Sequence, residues 1–164
     1  MRFYVGTKKG LFVVEGGRIG KPHFLGDPVS MVLPDRRDGT LYAALNLGHF
    51  GVKLRRSADG AATWEEVAAP EYPPQPADSK DKTPWKLVQL WSLESGGDCL
   101  WAGTIPGGLF QSKDRGASWK LVEGLWNRPE RAEWAGGGYD HPGIHSIAVD
   151  PRDARRITVA ISTG

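Results

Sequence analysis

The sequence predicts an all-β fold of repeated four-stranded antiparallel sheets, and three observations support this prediction. Glycine and proline are abundant, at 22 and 12 of 164 residues, and the chain has seven tryptophans. This composition is typical of short strands joined by tight turns, with aromatic rings packed between sheets. Two stretches, 57–64 and 112–119, share the pattern S-x-D-x-(G/A)-x-(S/T)-W, and longer segments also recur. No segment has a sustained helical period, so we expect no long helix.

Each copy of the shared pattern lies between two strand-like runs, and its residue types suit the corner of a β-hairpin. The aspartate can accept backbone N–H bonds within the turn, the glycine supplies a positive φ, and the tryptophan folds back over the corner. The second copy matches at every position, whereas the first has Ala61 in place of the glycine. The residues with a predicted structural role are Ser57, Asp59 and Trp64 in the first corner and Ser112, Asp114, Gly116 and Trp119 in the second.

Two other pairs of segments define the repeating unit. Residues 100–110 resemble residues 3–12, and residues 147–160 resemble residues 31–44. Laid end to end, they give four strands, A to D, in which a Pro-Asp-Arg turn joins A to B and the corner joins C to D. The predicted strands lie near 2–6, 10–15 and 22–25, then 29–33, 40–45, 51–57 and 63–67, then 87–93, 99–104, 108–113 and 118–122, and finally 144–149 and 157–162.

The corner pattern resembles the Asp-box, or BNR repeat, of sialidases and many other β-propellers. The resemblance implies a β-propeller of four-stranded antiparallel blades, about three of which are present, so that residues 1–164 form a single partial ring. The predicted parts are blade 1 at about 1–27, blade 2 at about 28–69, blade 3 at about 86–123 and the start of blade 4 at about 143–164.

An incomplete ring leaves apolar sheet faces and strand edges uncovered. Closed propellers usually have about four to eight blades. We therefore expect either a fragment of a longer protein, which is the interpretation we favour, or chains that self-associate to complete the ring.

The turns of such a meander divide between two faces. Successive strands are antiparallel, so the A–B turns and the corners share one face, while the B–C loops and the links between blades share the other. The links around 69–86 and 123–143 are long, and long loops in compact proteins are usually functional or disordered. We expect a ligand on this long-loop face, although the proline-rich first link has the composition of a solvated spacer.

The second long link supplies most of the candidate site residues. Gly136–Gly138 permit backbone conformations that can carry the residues after them toward the ring axis. The candidates for catalysis are Asp140, Glu130, Tyr139 and His141. The candidates for substrate binding are Arg128, Arg131, Trp126, Trp134 and His145, with His49 and Asn46 of another loop on the same face. Asp140, His141 and His145 have side chains that can bind a metal, but the set lacks a helical H-x-x-x-H frame and a cysteine partner, so we predict neither a metal site nor a cofactor.

The resemblance suggests two classes of function. Sialidases use an arginine cluster, a Tyr–Glu nucleophile pair and an aspartate acid/base around an oxocarbenium-like transition state. Suitable residue types occur here, but in one loop rather than over several blades, and no motif assigns their roles. The first hypothesis is therefore a glycan-processing or glycan-binding protein, which as an enzyme would be a sialidase-like glycoside hydrolase. The alternative is a non-catalytic scaffold, as in the Asp-box propellers of sorting receptors and assembly factors of photosynthetic complexes.

Charge and hydropathy restrict the partners. The 21 basic residues nearly balance the 19 acidic ones, and no basic run indicates nucleic-acid binding. No run approaches the roughly 20 apolar residues of a membrane span. Residues Met1–Gly6 are followed by a polar turn at 7–10, so the first residues lack an apolar core of signal-peptide length. We expect a cytoplasmic protein whose partner is a carbohydrate or another protein, with no nucleic acid and no membrane.

Overall fold

The computed structural model describes residues 1–162, and this part of the chain has the all-β fold of β-propeller blades. Its strands form antiparallel sheets of three, four, four and two strands, each in sequence order. The chain divides into two compact units, Met1–Val67 and Ala68–Gly164. The all-β prediction is confirmed, and the last two positions of the predicted fourth blade lie outside the described residues.

The first unit contains two sheets. The strands of its three-stranded sheet are β1 (Arg2–Thr7), β2 (Gly10–Glu15) and β3 (Arg18–Ile19). The strands of its four-stranded sheet are β4 (Val29–Pro34), β5 (Leu41–Asn46), β6 (Val52–Ser57) and β7 (Glu65–Val67), with a 3-10 helix at Gly48–Phe50 between β5 and β6.

The prediction of a third strand near 22–25 was wrong. Gly16 and Gly17 have φ values of 57° and 77° and close a two-residue hairpin turn, so Arg18 pairs at once with Glu15. His23 forms only an isolated bridge with Leu11. The two glycines therefore place the third strand several residues earlier than predicted.

The second unit also contains two sheets. The strands of its four-stranded sheet are β8 (Gln89–Gly96), β9 (Cys99–Ile105), β10 (Leu109–Ser112) and β11 (Lys120–Leu121). Helix α1 (Glu123–Trp126) and a 3-10 helix (Pro129–Glu133) follow, and the last sheet consists of β12 (Ile144–Val149) and β13 (Ile157–Ile161). Among residues 1–162, no helix has the length and apolar character needed to cross a membrane.

A glycine in each unit allows two successive sheets to pack closely. A Cβ on Gly103 of β9 would lie 2.6 Å from Cγ2 of Ile144 in β12, and the hydroxyl of Ser92 donates to the Ile144 carbonyl at 2.9 Å. The repeat places Gly6 of β1 at the equivalent position, where a Cβ would lie 3.1 Å from Cγ1 of Val29. In both units, the first strand of the next sheet lies directly against a glycine backbone.

The second corner is held by its own polar side chains. Asp114 accepts hydrogen bonds from the Ser112 hydroxyl and the Ser118 N–H, both at 2.8 Å, and from the Ser118 hydroxyl. The Ser112 hydroxyl in turn accepts the Gly116 N–H at 2.8 Å. These hydrogen bonds, those from Ser118 first, lower the pKa of Asp114 to about 2.

The first corner repeats this arrangement. Asp59 accepts bonds from the Ser57 hydroxyl at 2.8 Å and the Thr63 N–H at 2.9 Å, and its pKa is also lowered to about 2. Each corner has two consecutive residues with positive φ. In the first corner these residues are Gly60 and Ala61, with φ values of 70° and 77°. The first corner therefore has an alanine in a backbone conformation that favours glycine.

The tryptophan of each corner contacts the link that enters its own sheet. Trp64 packs edge-on against Phe24, with ring centroids 5.1 Å apart, and Phe24 belongs to the link between β3 and β4. The Trp119 indole N–H donates to the Ala68 carbonyl, at the start of the first long link, at 2.8 Å. Each corner therefore joins the last strand of a sheet to the segment that leads into the first.

Strand β1 is more exposed than its counterpart β9. It lies at the edge of its sheet, and its Phe3 and Val5 side chains are 51% and 42% exposed. The residues that the repeat places at these positions in β9, Leu100 and Ala102, are fully buried. Within the described residues, β1 lacks the preceding strand that covers β9.

We expect Gly103→Ala to lower the free energy of unfolding by about 3 kcal/mol, because the added methyl group would force β9 away from β12. Urea denaturation measures the change. Gly124→Ala is the matched control, since a Cβ at Gly124 meets no atom within 4 Å. Equal destabilisation by both substitutions would contradict the close-packing argument.

We expect Asp114→Asn to remove part of the pH dependence of stability. The folded-state pKa of Asp114, about 2, lies below the ordinary aspartate pKa of 3.8. Its contribution is therefore complete above the unfolded-state pKa and is lost as pH falls from about 4 to about 2. The stability difference between wild type and variant, measured by urea denaturation, should shrink over that range.

Asp78→Asn, at an exposed aspartate of the first link, is the control for this experiment. It should leave the decrease in the free energy of unfolding at low pH unchanged. A difference between wild type and Asp114→Asn that stays constant down to pH 2 would contradict the proposed linkage.

Candidate functional site

The second unit contains an open groove with a volume of about 640 Å³. Three segments form its walls: the first long link, the outer strand β11 with the residue before it, and the beginning of the second long link. The lining residues are Glu71, Tyr72, Pro73, Pro74, Trp85, Trp119, Lys120, Leu121, Glu123, Trp126 and Asn127. The groove is therefore built largely from the long loops, at the β11 edge of the sheet.

Aromatic rings form the centre of this groove. Trp126 of α1 is 3% exposed, and its ring lies 4.9 Å from that of Tyr72 and 5.3 Å from that of Trp85, measured between centroids. Trp85 and Trp119 are themselves partly exposed. The groove thus has a buried aromatic base and two accessible indole rings.

Tyr72 is fixed by hydrogen bonds beneath the groove. Its hydroxyl lies 2.5 Å from Oγ1 of Thr104 and donates to the carbonyl of Pro106 at 2.6 Å. Burial raises the pKa of Tyr72, so the phenol is neutral at physiological pH. Tyr72 therefore ties the first link to the loop between β9 and β10, and its hydroxyl already has protein partners.

Arg131 joins the two long links. Its guanidinium donates to Oδ2 of Asp81 and to the carbonyl of Trp126, both at 2.6 Å, and lies 3.8 Å from the centre of the Trp126 ring. Both members of the ion pair are about nine-tenths buried. Burial alone would raise the pKa of Asp81, but hydrogen bonds from Arg131, Thr83 and Trp85 outweigh it and lower the pKa.

The predicted substrate-binding arginines have different environments. Arg131 is buried in its ion pair with Asp81 and does not line the groove. Arg128 is exposed and pairs with Glu130 at 3.3 Å. A backbone hydrogen bond and the Arg128 guanidinium lower the pKa of Glu130. A general acid of a glycosidase needs a raised pKa, so the surroundings of Glu130 favour the opposite protonation state.

The other catalytic candidates lie on a surface loop outside the groove. A Cβ at Gly136 would overlap the carbonyl oxygen of Tyr139, so the backbone turns back tightly at this glycine. Tyr139 and Asp140 are exposed, and His141 is partly exposed. The structure keeps these three residues adjacent, but they do not line the aromatic groove.

The remaining binding candidates are spread over both units. Trp134 packs against Gly107 in the loop between β9 and β10, where a Cβ would lie 3.1 Å from its ring. His145 is exposed at the start of β12. His49 and Asn46 belong to the first unit, where the His49 ring contacts Phe50 and the Asn46 side chain accepts the Gly48 N–H at 3.3 Å. Within residues 1–162, no cluster of three His, Cys, Asp or Glu side chains is arranged to hold a metal ion.

Most of the groove was not predicted from the sequence. The composition of the first link indicates a solvated spacer, yet this link contributes Tyr72 and Trp85 to the groove and is fixed through Asp81. A signal was present, because two large aromatic residues in a short proline-rich segment indicate packing rather than solvation. Of the predicted binding residues, only Trp126 lines the groove. Trp119, which was predicted as a structural residue of the second corner, also lines it.

Comparison with known proteins supports the fold. No protein-family model matches the chain, and no curated protein is significantly similar to it. Among solved structures, it resembles a GH74 xyloglucanase from Xanthomonas campestris, with a TM-score of 0.64 and 22% sequence identity. The match covers 99% of this chain and 24% of the xyloglucanase, so the chain spans about a quarter of that protein's length. At this identity, the similarity shows a shared β-propeller fold.

We expect Arg131→Ala to destabilise the second unit by about 3 kcal/mol, because it leaves Asp81 buried without its cation and removes the contact with Trp126. Thermal and urea denaturation measure the loss. Arg128→Ala is the control, since the Arg128–Glu130 pair is exposed and its removal should change stability little. Similar losses in the two variants would contradict the bracing role of Arg131.

Proposed function

We propose that this protein binds carbohydrate and that the aromatic groove of the second unit holds an oligosaccharide. The observation that carries the proposal is the groove itself, in which two accessible indole rings, Trp85 and Trp119, lie beside the buried Trp126. Concave sites with aromatic walls and a few polar groups are typical of small-ligand sites.

The chemistry of the lining suits a sugar. A pyranose ring has an apolar C–H face that stacks on an indole and a rim of hydroxyls that need hydrogen-bond partners. Exposed polar side chains that accept or donate such bonds surround the rings, namely Glu71, Lys120, Glu123 and Asn127. The name of the structural neighbour, a xyloglucanase, also supports a carbohydrate as the ligand.

Binding is better supported than hydrolysis. Glycoside hydrolysis usually needs two carboxyl groups flanking the bond, one held protonated by its surroundings. The carboxyl groups in the groove, Glu71 and Glu123, are both exposed to water. A sialidase-like role for Asp140, Tyr139 and His141 stays a prediction for the separate surface loop.

Titration with defined oligosaccharides tests the proposal. We expect a xyloglucan heptasaccharide, cellotetraose or sialyllactose to bind with saturable heat in isothermal calorimetry. Trp119→Ala or Trp85→Ala should weaken the affinity by about tenfold, because each removes one stacking platform, and an aromatic platform that stacks a nucleobase contributes on the order of 1–3 kcal/mol.

Phe50→Ala is the control, because it removes an aromatic side chain of the first unit that is 78% exposed and does not line the groove. It should leave the affinity unchanged, and thermal denaturation should show that each variant is folded. Saturable binding that neither tryptophan substitution affects would contradict the groove as the binding site.

A second function, a scaffold for protein association, is favoured by β1. Among residues 1–162, no strand pairs with its outer edge, and this edge and the exposed Phe3 and Val5 suit pairing with a strand of another chain, including a second copy of this protein. No binding by any of the three oligosaccharides, together with concentration-dependent self-association that Val5→Lys abolishes in analytical ultracentrifugation, would favour this function instead.

A further inference from the structure

The first strands of three sheets contain a β-bulge at the same place. The strand pairing shifts register between Val29 and Met31 in β4, between Leu90 and Ser92 in β8, and between Ile144 and Ser146 in β12. The extra residues are Ser30, Trp91 and His145. A bulge leaves its extra residue outside the ladder and re-aims its side chain, and bulges are frequent next to functional sites.

Two of these extra residues are neighbours in the second unit. The rings of Trp91 and His145 meet edge to face, with centroids 5.8 Å apart and planes at 67°. Gly143 lies directly against the Trp91 ring, since a Cβ there would be 2.5 Å from Cε3. The indole is therefore held against a glycine backbone on one side and the imidazole on another.

His145 can still bond to a ligand. Its Nδ1 lies 3.0 Å from the Ser146 hydroxyl, and within residues 1–162 Nε2 has no hydrogen-bond partner. The residue is exposed, whereas Trp91 is half-buried. An exposed imidazole nitrogen beside a fixed indole ring pairs a hydrogen-bonding group with an apolar surface, which is the combination that a pyranose needs.

This pair is separate from the aromatic groove. Trp91 lies on β8 and the groove lies along β11, at the opposite edges of the same four-stranded sheet. Three strand spacings separate these edges, which amounts to roughly 14 Å. One bound sugar unit cannot contact both places.

We propose that Trp91 and His145 form a second carbohydrate subsite, at which one pyranose unit packs on Trp91 and bonds to His145. This inference rests on the proposed carbohydrate function and extends it to the β8 edge of the sheet. The bulges in β8 and β12 create the subsite, because a regular strand would keep both residues within the ladder.

Fluorine NMR after fluorotryptophan labelling tests the two sites separately. Single Trp→Phe variants assign the signals of Trp85, Trp91 and Trp119, and the full chain is titrated with xyloglucan heptasaccharide, cellotetraose and sialyllactose. We expect the Trp91 signal to shift saturably with at least one sugar. His145→Ala should weaken that response roughly fivefold, as the loss of one hydrogen bond predicts, and leave the Trp119 response unchanged.

Two further variants define the role of His145. His145→Gln keeps a hydrogen-bonding side chain and should retain most of the Trp91 response. Ser30→Ala changes the equivalent bulge of the first unit and should leave the response intact. A Trp91 response that His145→Ala does not alter would overturn the assignment of His145.

The signals also separate failure of this inference from failure of the proposed function. Shifts at Trp85 and Trp119 without a shift at Trp91 would overturn the second subsite and support the groove. A shift at Trp91 alone would support the subsite and overturn the groove. No shift at any of these tryptophans would overturn both.

Discussion

The close approach of β12 to β9 at Gly103 is the constraint on which the second unit depends. Because Gly103 has no side chain, the Ile144 backbone lies against β9, and its carbonyl accepts the hydroxyl of the buried Ser92. The satisfied hydrogen bond makes this buried contact stable. It also fixes where the second long link must end, with Gly143 against the ring of Trp91. A larger residue at position 103 would separate the sheets and displace that link.

The groove depends in turn on how the two links are joined. The ion pair between Asp81 and Arg131 connects residues 50 positions apart in the chain, and Arg131 covers one face of Trp126. Asp81 also accepts the Trp85 indole N–H at 2.9 Å, which orients a ring at the groove. Arg131, which was predicted to bind substrate, therefore fixes the aromatic wall of the groove together with Asp81. The surface that remains for a ligand is mostly aromatic.

The two corners show how much of the local structure was predictable. The same pattern gives the same hydrogen bonds around Asp59 and Asp114, since every partner lies within a few residues of the aspartate. The strand from 22 to 25 was misplaced because the tight Gly16–Gly17 turn was overlooked. The groove was missed because composition describes a segment in water, whereas the first link acquires its shape from contacts with α1 and β10.

By itself, the sequence determined the all-β class, the strand order within each sheet and the hydrogen-bonded corners, because these depend on short-range periodicity and on side chains that bond to their own turns. Only the tertiary structure decided which aromatic and charged residues remain accessible. Trp126 and Arg131 were predicted to contact a ligand directly, but packing buries them, while Trp85 and Trp119 stay partly exposed beside them. Accessibility depends on neighbours far away in the chain, and only folding brings those neighbours together.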